Sequence, residues 1–151
     1  MIALLAFAAL TQAVVRTDVP VAEFNVTDLG FTCAEDGLPT VTVEYANAVG
    51  QLTYGQFDPR AQLMFHLPNS VRTVVHEAEG ANRRWIIHAE GPAQRARGLA
   101  DGTPAAIDLI VHLSAEGRLT GDFAVRAGSF SRSGTACRRM PPRTVTPEPN
   151  P

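Results

Sequence analysis

Four histidines lie in segments with the alternating pattern of β-strands, and histidine is the side chain that most often binds metals or carries protons. They are His66, His76, His88 and His112. The alternation places all four on the same, mostly polar face of a sheet. The expected hairpin registers do not bring three of them together, and Arg72 falls beside His66, where it would repel a cation. We therefore predict no metal site and no cofactor, and interpret the histidines as exposed or capped strand residues.

The motifs that resemble catalytic sequences are incomplete. His76-Glu77 lacks the second histidine four residues later that a metalloprotease helix needs. Ser129 is not in the strand, Gly-x-Ser-x-Gly and helix context of a nucleophile elbow. The chain has no lysine, which excludes Schiff-base chemistry. We therefore expect a protein that is not an enzyme.

The formal net charge of −2 conceals an uneven distribution along the 151 residues. Residues 14–80 contain 3 arginines and 9 acidic residues, whereas residues 81–151 contain 10 arginines and 6 acidic residues. A net charge near zero argues against nucleic acid as a partner, but an asymmetry of this kind can either hold the two halves of the chain together or present two opposed surfaces to a partner. Four arginines could form an anion-binding patch or a solvated face: Arg83, Arg84, Arg95 and Arg97.

The N-terminal segment indicates the compartment. Residues 2–10 are all apolar and precede a small-residue site, so residues 1–13 are expected to be a signal peptide, with an ordinary apolar helix as the alternative. The apolar run is too short for a stable membrane span. Export makes a disulfide between Cys33 and Cys137 the natural interpretation, and two buried free thiols are the alternative. We expect a periplasmic or extracellular protein.

The pattern between these ends predicts an all-β fold. Apolar and polar residues alternate in six runs that are separated by turn residues, without a convincing helical stripe. We predict a single domain over residues 14–140: an antiparallel meander forming an up-and-down barrel or sandwich of about 6–8 strands. Residues 92–102 could hold one helical turn. The proline-rich residues 141–151 are expected to form a flexible tail.

One set of strand residues would face the interior of such a barrel and line a site for an apolar guest. The set is Leu63, Phe65, Trp85, Ile87, Leu109, Val111 and Phe123. The same side chains could instead fill the core themselves. The opposite face is also apolar at mid-strand positions, namely Met64, Val74, Ile86 and Ile110, which indicates either scattered surface residues or a face covered by a partner.

Several short segments, in order, resemble the YceI-like periplasmic proteins. They are Phe24–Phe31, Phe57–Pro59, Asn69–Thr73, Gly102–Leu109 and Gly121–Val125. The usual His-Leu-Gly of that family is Asp28-Leu29-Gly30 here. The resemblance implies a lipocalin-like antiparallel barrel that holds a polyisoprenoid chain in its interior, and it carries over no catalytic residue.

Two functions follow as expectations. The first is a non-catalytic exported β domain that binds an apolar, isoprenoid-like small molecule in its interior. The alternative is a secreted or periplasmic protein–protein interaction module, either an inhibitor or a subunit of an envelope assembly. Residues 33–47 look similar to small secreted lysozyme inhibitors, with Val-Thr-Val-Glu-Tyr-Ala-Asn following the cysteine.

Overall fold

The computed structural model describes residues 13–20, 29–34 and 38–141, which form eleven β-strands and a short 3-10 turn at Asn47–Val49. The strands are β1 Val15–Pro20, β2 Leu29–Cys33, β3 Thr40–Ala46, β4 Gln51–Phe57, β5 Leu63–Leu67, β6 Thr73–Glu79, β7 Asn82–Pro92, β8 Gln94–Arg97, β9 Pro104–Leu113, β10 Leu119–Ala127 and β11 Phe130–Arg139.

All eleven strands belong to one antiparallel sheet, which curves into a half-barrel. Their order is β1-β6-β7-β9-β10-β11-β2-β3-β4-β5-β8. Only Ala93 separates β7 from β8, and β8 pairs with β5 at the far end of the order. The chain itself therefore links two distant parts of the sheet, which requires the sheet to curve.

The predicted all-β class and antiparallel pairing are confirmed, but the prediction of 6–8 strands is wrong. Five strands were not recognisable from apolar alternation: β1, β2, β4, β8 and β11. For two of them the reason is composition: β4 offers only Leu52 and Tyr54 as buried large side chains, and β11 buries only Gly134 and Cys137. Strand β8 also replaces the helical turn considered for residues 92–102.

The turns decide which strands become neighbours. Gly117 adopts φ +83° in the turn between β9 and β10, where Leu113 pairs with Leu119. The β6–β7 turn is tight, because Glu79 pairs directly with Asn82. This register places His76 opposite Trp85 and on the inner side of the sheet, so the prediction that all four histidines share the outer face is wrong.

The chain between β5 and β6 does not form a hairpin. The backbone N–H groups of Ser70 and Val71 donate hydrogen bonds to the carbonyl of Gly50, at 3.1 and 3.0 Å. These bonds tie the loop to the end of the 3-10 turn and redirect the chain. Strand β5 consequently pairs with β4 and β8, whereas β6 pairs with β1 and β7.

The inner face of the curved sheet holds the core. Its largest fully buried side chains are Tyr45, Tyr54, Phe31, Phe65, Leu52, Leu67, Ile87, Ile107, Leu109, Val41, Val43 and Val74. Glycines make room for two of the rings: a Cβ on Gly121 would lie 2.7 Å from the Phe31 ring, and the ring of Phe123 covers Gly134. The interior is therefore packed by aromatic rings lying against bare backbone.

A disulfide joins Cys33 in β2 to Cys137 in β11, which lie 104 positions apart in sequence, with the two Cα atoms 4.6 Å apart. Both cysteines are buried. The two strands share only two paired positions, Arg138 with Thr32 and Arg139 with Phe31. The covalent bond therefore reinforces the shortest pairing within the run from β10 to β5, and the alternative of free thiols is wrong.

The predicted signal peptide lies outside the described residues except for Ala13, and so does the predicted tail except for Pro141. Both boundaries stay predictions. In the described part of the chain, no helix is long and apolar enough to cross a membrane.

Candidate functional site

The seven side chains predicted to line an interior site all face the core, five of them from β7, β9 and β10 and two, Leu63 and Phe65, from β5. Six are buried in the core, and Trp85 is half-buried and packs against it. Ile87 pairs directly with Leu109, and Leu109 pairs with Phe123, so the sheet brings these three together. The set shares the interior with the large rings of Tyr45, Tyr54 and Phe31.

Two clefts of about 180 and 640 Å³ open on the surface, and neither is lined by any of those seven residues. The smaller lies beside Glu77, Arg84 and His112. The larger lies beside Glu90, Ala106 and Arg126. Both clefts border the outer face of β6, β7, β9 and β10, and they lie at opposite ends of these strands.

Between the clefts runs an aliphatic strip, which we define as Val75, Ile86 and Ile110. The three residues are directly paired across β6, β7 and β9, and all three are half-buried. Ile86 and Ile110 lie outward, as the alternation predicts. Val74 is instead fully buried inside, and Val75 takes the outward position. Asp18 on β1 and Asp122 on β10 terminate this row of paired residues at its two ends.

The charged residues around the strip form ion pairs and hydrogen bonds with one another. Glu77 is buried, although it is charged, and both Arg84 and Arg16 form ion pairs with it. His112 Nε2 lies 2.8 Å from Asp122 Oδ2, and His88 Nδ1 lies 2.6 Å from Asp108 Oδ1. These cross-strand pairs link the charged side chains around the strip to one another.

The outer face of β1, β6, β7, β9 and β10 is acidic. With neutral histidines its formal charge is −3, from three arginines and six carboxylates. The arginines are Arg16, Arg84 and Arg126, and the carboxylates are those of Asp18, Glu77, Glu79, Glu90, Asp108 and Asp122. An apolar centre with a charged rim is the usual composition of a protein interface.

The four arginines considered as an anion-binding patch, and the possible metal ligands, do not form a site among the described residues. Arg83 and Arg84 lie at the start of β7 whereas Arg95 and Arg97 lie in β8, so most of β7, about 25 Å of strand, separates the two pairs. Within the described residues, no three His, Cys, Asp or Glu side chains are grouped to hold a metal ion.

His66 lies apart from the other histidines, on the outer face of β5. Its Nδ1 atom is 2.9 Å from Thr53 Oγ1 and 3.3 Å from Gln51 Nε2. Burial lowers the pKa of His66, the positive charge of Arg95 lowers it further, and Glu44 opposes both effects. Because the Gln51 amide donates toward Nδ1, the neutral ring fits this environment best.

A polar cluster closes one end of the core. The Tyr54 hydroxyl donates to Gln56 Oε1 at 3.1 Å, and Arg132 donates to Gln56 Oε1 at 3.4 Å and to the Pro39 carbonyl at 2.9 Å. Burial raises the pKa of Tyr54, and Arg132 partly counteracts this. Arg132 points inward, because it pairs with the buried Val125 of β10.

No family model, no curated protein and no solved structure matches this chain. The resemblance to YceI-like proteins therefore stays a prediction. Sequence reasoning identified Ile86 and Ile110 but missed Val75 and the continuity of the strip. That continuity depends on the tight β6–β7 turn, which sets the register of β7 against β6. The sequence signal for this turn is Gly80, which adopts φ +59° there.

Proposed function

We propose that this protein is a non-catalytic interaction module that docks a partner protein on the outer face of β1, β6, β7, β9 and β10. The observation that carries the proposal is the aliphatic strip: three branched apolar side chains stand side by side where an outward row is ordinarily polar. The packed interior supports it, because the large core side chains already occupy the inner face.

The partner is expected to be a protein with a basic surface. The docking face carries a formal charge of −3, so a second copy of the same face would be repelled and a cationic surface attracted. Lysozymes are the first purified partners to test, given the similarity of residues 33–47 to lysozyme inhibitors. The disulfide is typical of an oxidising compartment, and we propose a periplasmic or extracellular location.

Replacement of Ile110 by Asn tests this proposal, with Met64→Asn as the matched control. Both side chains are half-buried, apolar and outward, but Met64 lies on β5, away from the strip. Proteins retained from an envelope extract by the wild-type chain are identified, purified and titrated against all three forms. We expect a basic protein whose affinity falls roughly tenfold or more with I110N, changes little with M64N, and weakens with added salt.

The proposal fails if no purified protein distinguishes I110N from M64N, or if the proteins that do are acidic. Thermal unfolding of the three forms, followed by circular dichroism, shows whether a loss of binding reflects loss of the fold.

A second candidate is an apolar, isoprenoid-like ligand in the interior. The observation that favours it is Arg132, a half-buried cation at the end of the apolar wall whose hydrogen-bond acceptors are both neutral. An anionic head group on such a ligand would pair with Arg132, so native mass spectrometry with geranylgeranyl phosphate tests it: a 1:1 complex supports a carrier, and its absence at saturating ligand contradicts one. Filling of the interior by protein side chains is the reason that we place this candidate second.

A further inference from the structure

Strand β1 is an exposed edge of the sheet. It pairs with β6 through all six of its residues without a register shift, and its other edge has no partner strand among the described residues. Five of its six residues are exposed. A regular edge of this kind presents unpaired N–H and C=O groups and is a template for another strand.

The strand at the opposite end of the sheet is protected in the way that edge strands usually are. Strand β8 has four residues, its pairing with β5 is irregular, and Arg95 within it adopts φ +48°. The contrast points to β1 as the edge that is available for pairing.

We propose that two copies of this chain form a dimer by antiparallel pairing of β1 with β1, around a two-fold axis at Thr17. The sequence Val-Arg-Thr-Asp-Val is complementary to itself in this register. Arg16 of each copy faces Asp18 of the other, Val15 faces Val19, and the two Thr17 residues face each other. Opposite charges, β-branched pairs and threonine pairs are all favourable across antiparallel strands.

Neighbouring symmetric registers are disfavoured by the same side chains. An axis at Arg16 would place two arginines opposite each other, and an axis at Asp18 would place two carboxylates opposite each other. The charges therefore select the axis at Thr17.

The exposed apolar residues at the start of β1 also find partners in this dimer. Val14 and Val15 are 53% and 61% exposed, among the most exposed large apolar side chains of the described chain. Val14 would face Pro20 of the other copy, at the end of the strand where the missing proline N–H costs least. The paired edge is only about 20 Å long, so we expect a dimer that dissociates on dilution.

Antiparallel pairing of two identical strands places the two-fold axis perpendicular to the sheet. Arg16 and Asp18 then lie on the outer face in both copies. The outer faces of both copies, including both aliphatic strips, then lie on the same side of one continuous sheet. The dimer does not depend on the docking function, but it would present two docking faces side by side.

Engineered cysteines test the register in the full chain with its native disulfide intact. A cysteine at the axis, Thr17→Cys, is expected to form an intermolecular disulfide on mild oxidation, since paired Cα atoms lie about 4.5–5.5 Å apart. In the control Val15→Cys the two cysteines would be four positions apart along the strands, about 14 Å, and we expect no cross-link. Equal cross-linking of the two variants would overturn the proposed register.

Analytical ultracentrifugation tests the dimer itself. Asp18→Arg places arginines opposite each other and should weaken association at least tenfold at low salt, with partial recovery at high salt. Glu116→Arg, at an exposed hairpin tip, makes the same change in net charge and should leave association unchanged. A wild-type chain that sediments as a monomer at every concentration, or two variants that behave alike, would overturn the dimer.

Discussion

Ala136 adopts a left-handed backbone conformation, with φ +52°, at a bulge where two residues of β11 face one residue of β10. Its N–H donates to Asp122 Oδ1 at 2.8 Å, while Oδ2 of the same carboxylate contacts His112. One exposed alanine in a conformation that favours glycine is therefore tied to the rim of the docking face.

Ala136→Gly should stabilise the protein by about 0.5–1 kcal/mol, because glycine adopts this φ without a Cβ clash. Ala124→Gly is the control: it is an exposed position in the neighbouring strand β10, where glycine should destabilise by a similar amount. Urea unfolding measures both. A loss of stability in A136G as large as that in A124G would contradict the bulge geometry.

His66 gives the fold a pH dependence of known sign. Its pKa in the folded state is lower than the ordinary histidine value of about 6.5, so the unfolded chain binds the proton more readily. The stabilisation from neutral His66 is complete above about pH 6.5 and is lost as the pH falls toward the folded-state pKa.

His66→Gln removes this contribution while keeping a polar side chain beside Thr53 and Gln51. The difference in unfolding free energy between wild type and H66Q should therefore shrink between pH 7.5 and pH 5. Chemical unfolding at a series of pH values measures the difference, and a difference that widens toward low pH would show that the charged ring is favoured.

At the scale of strands, the weakest pairing within the run from β10 to β5 is also the one that carries the disulfide. The β2–β11 ladder has two paired positions, compared with five between β2 and β3. Met140 adds one further bond, from its N–H to the carbonyl of Gly30 at 2.8 Å. We infer that the covalent link holds these strands together.

Replacement of both cysteines by alanine should cost roughly 4–5 kcal/mol, the chain-entropy value for a closed loop of about 100 residues. Urea unfolding of C33A/C137A, compared with the oxidised and reduced wild type, measures the loss. A loss below about 1 kcal/mol would mean that the strands hold together without the link.

The strands that the sequence predicted are those with long apolar alternation, such as β9 and β10. Two of the strands that it missed, β1 and β11, depend on their neighbours because they contribute few buried side chains of their own. Strand β1 is almost entirely exposed, and β11 contributes a glycine under the Phe123 ring instead of a large side chain. Their positions depend on pairing with distant strands, which a local pattern does not contain.

At the scale of the whole molecule, the charge asymmetry joins the two halves of the chain beside the strip and does not separate them as two opposed surfaces there. Arg16 and Glu77 from the first half meet Arg84 from the second half on one face. The −3 charge of that face was not predictable from the two halves of the sequence, since it requires the strand order β1-β6-β7-β9-β10. The interior residues were predictable as a set, because alternation alone assigns them to one face.

Hydrogen–deuterium exchange of the complex with its purified partner tests the docking proposal most directly. Partner binding should slow exchange in β6, β7 and β9 around Val75, Ile86 and Ile110. It should leave β3, β4 and β5 unchanged. Protection confined to β3–β5, or to the ends of the half-barrel, would contradict the assignment of the docking face.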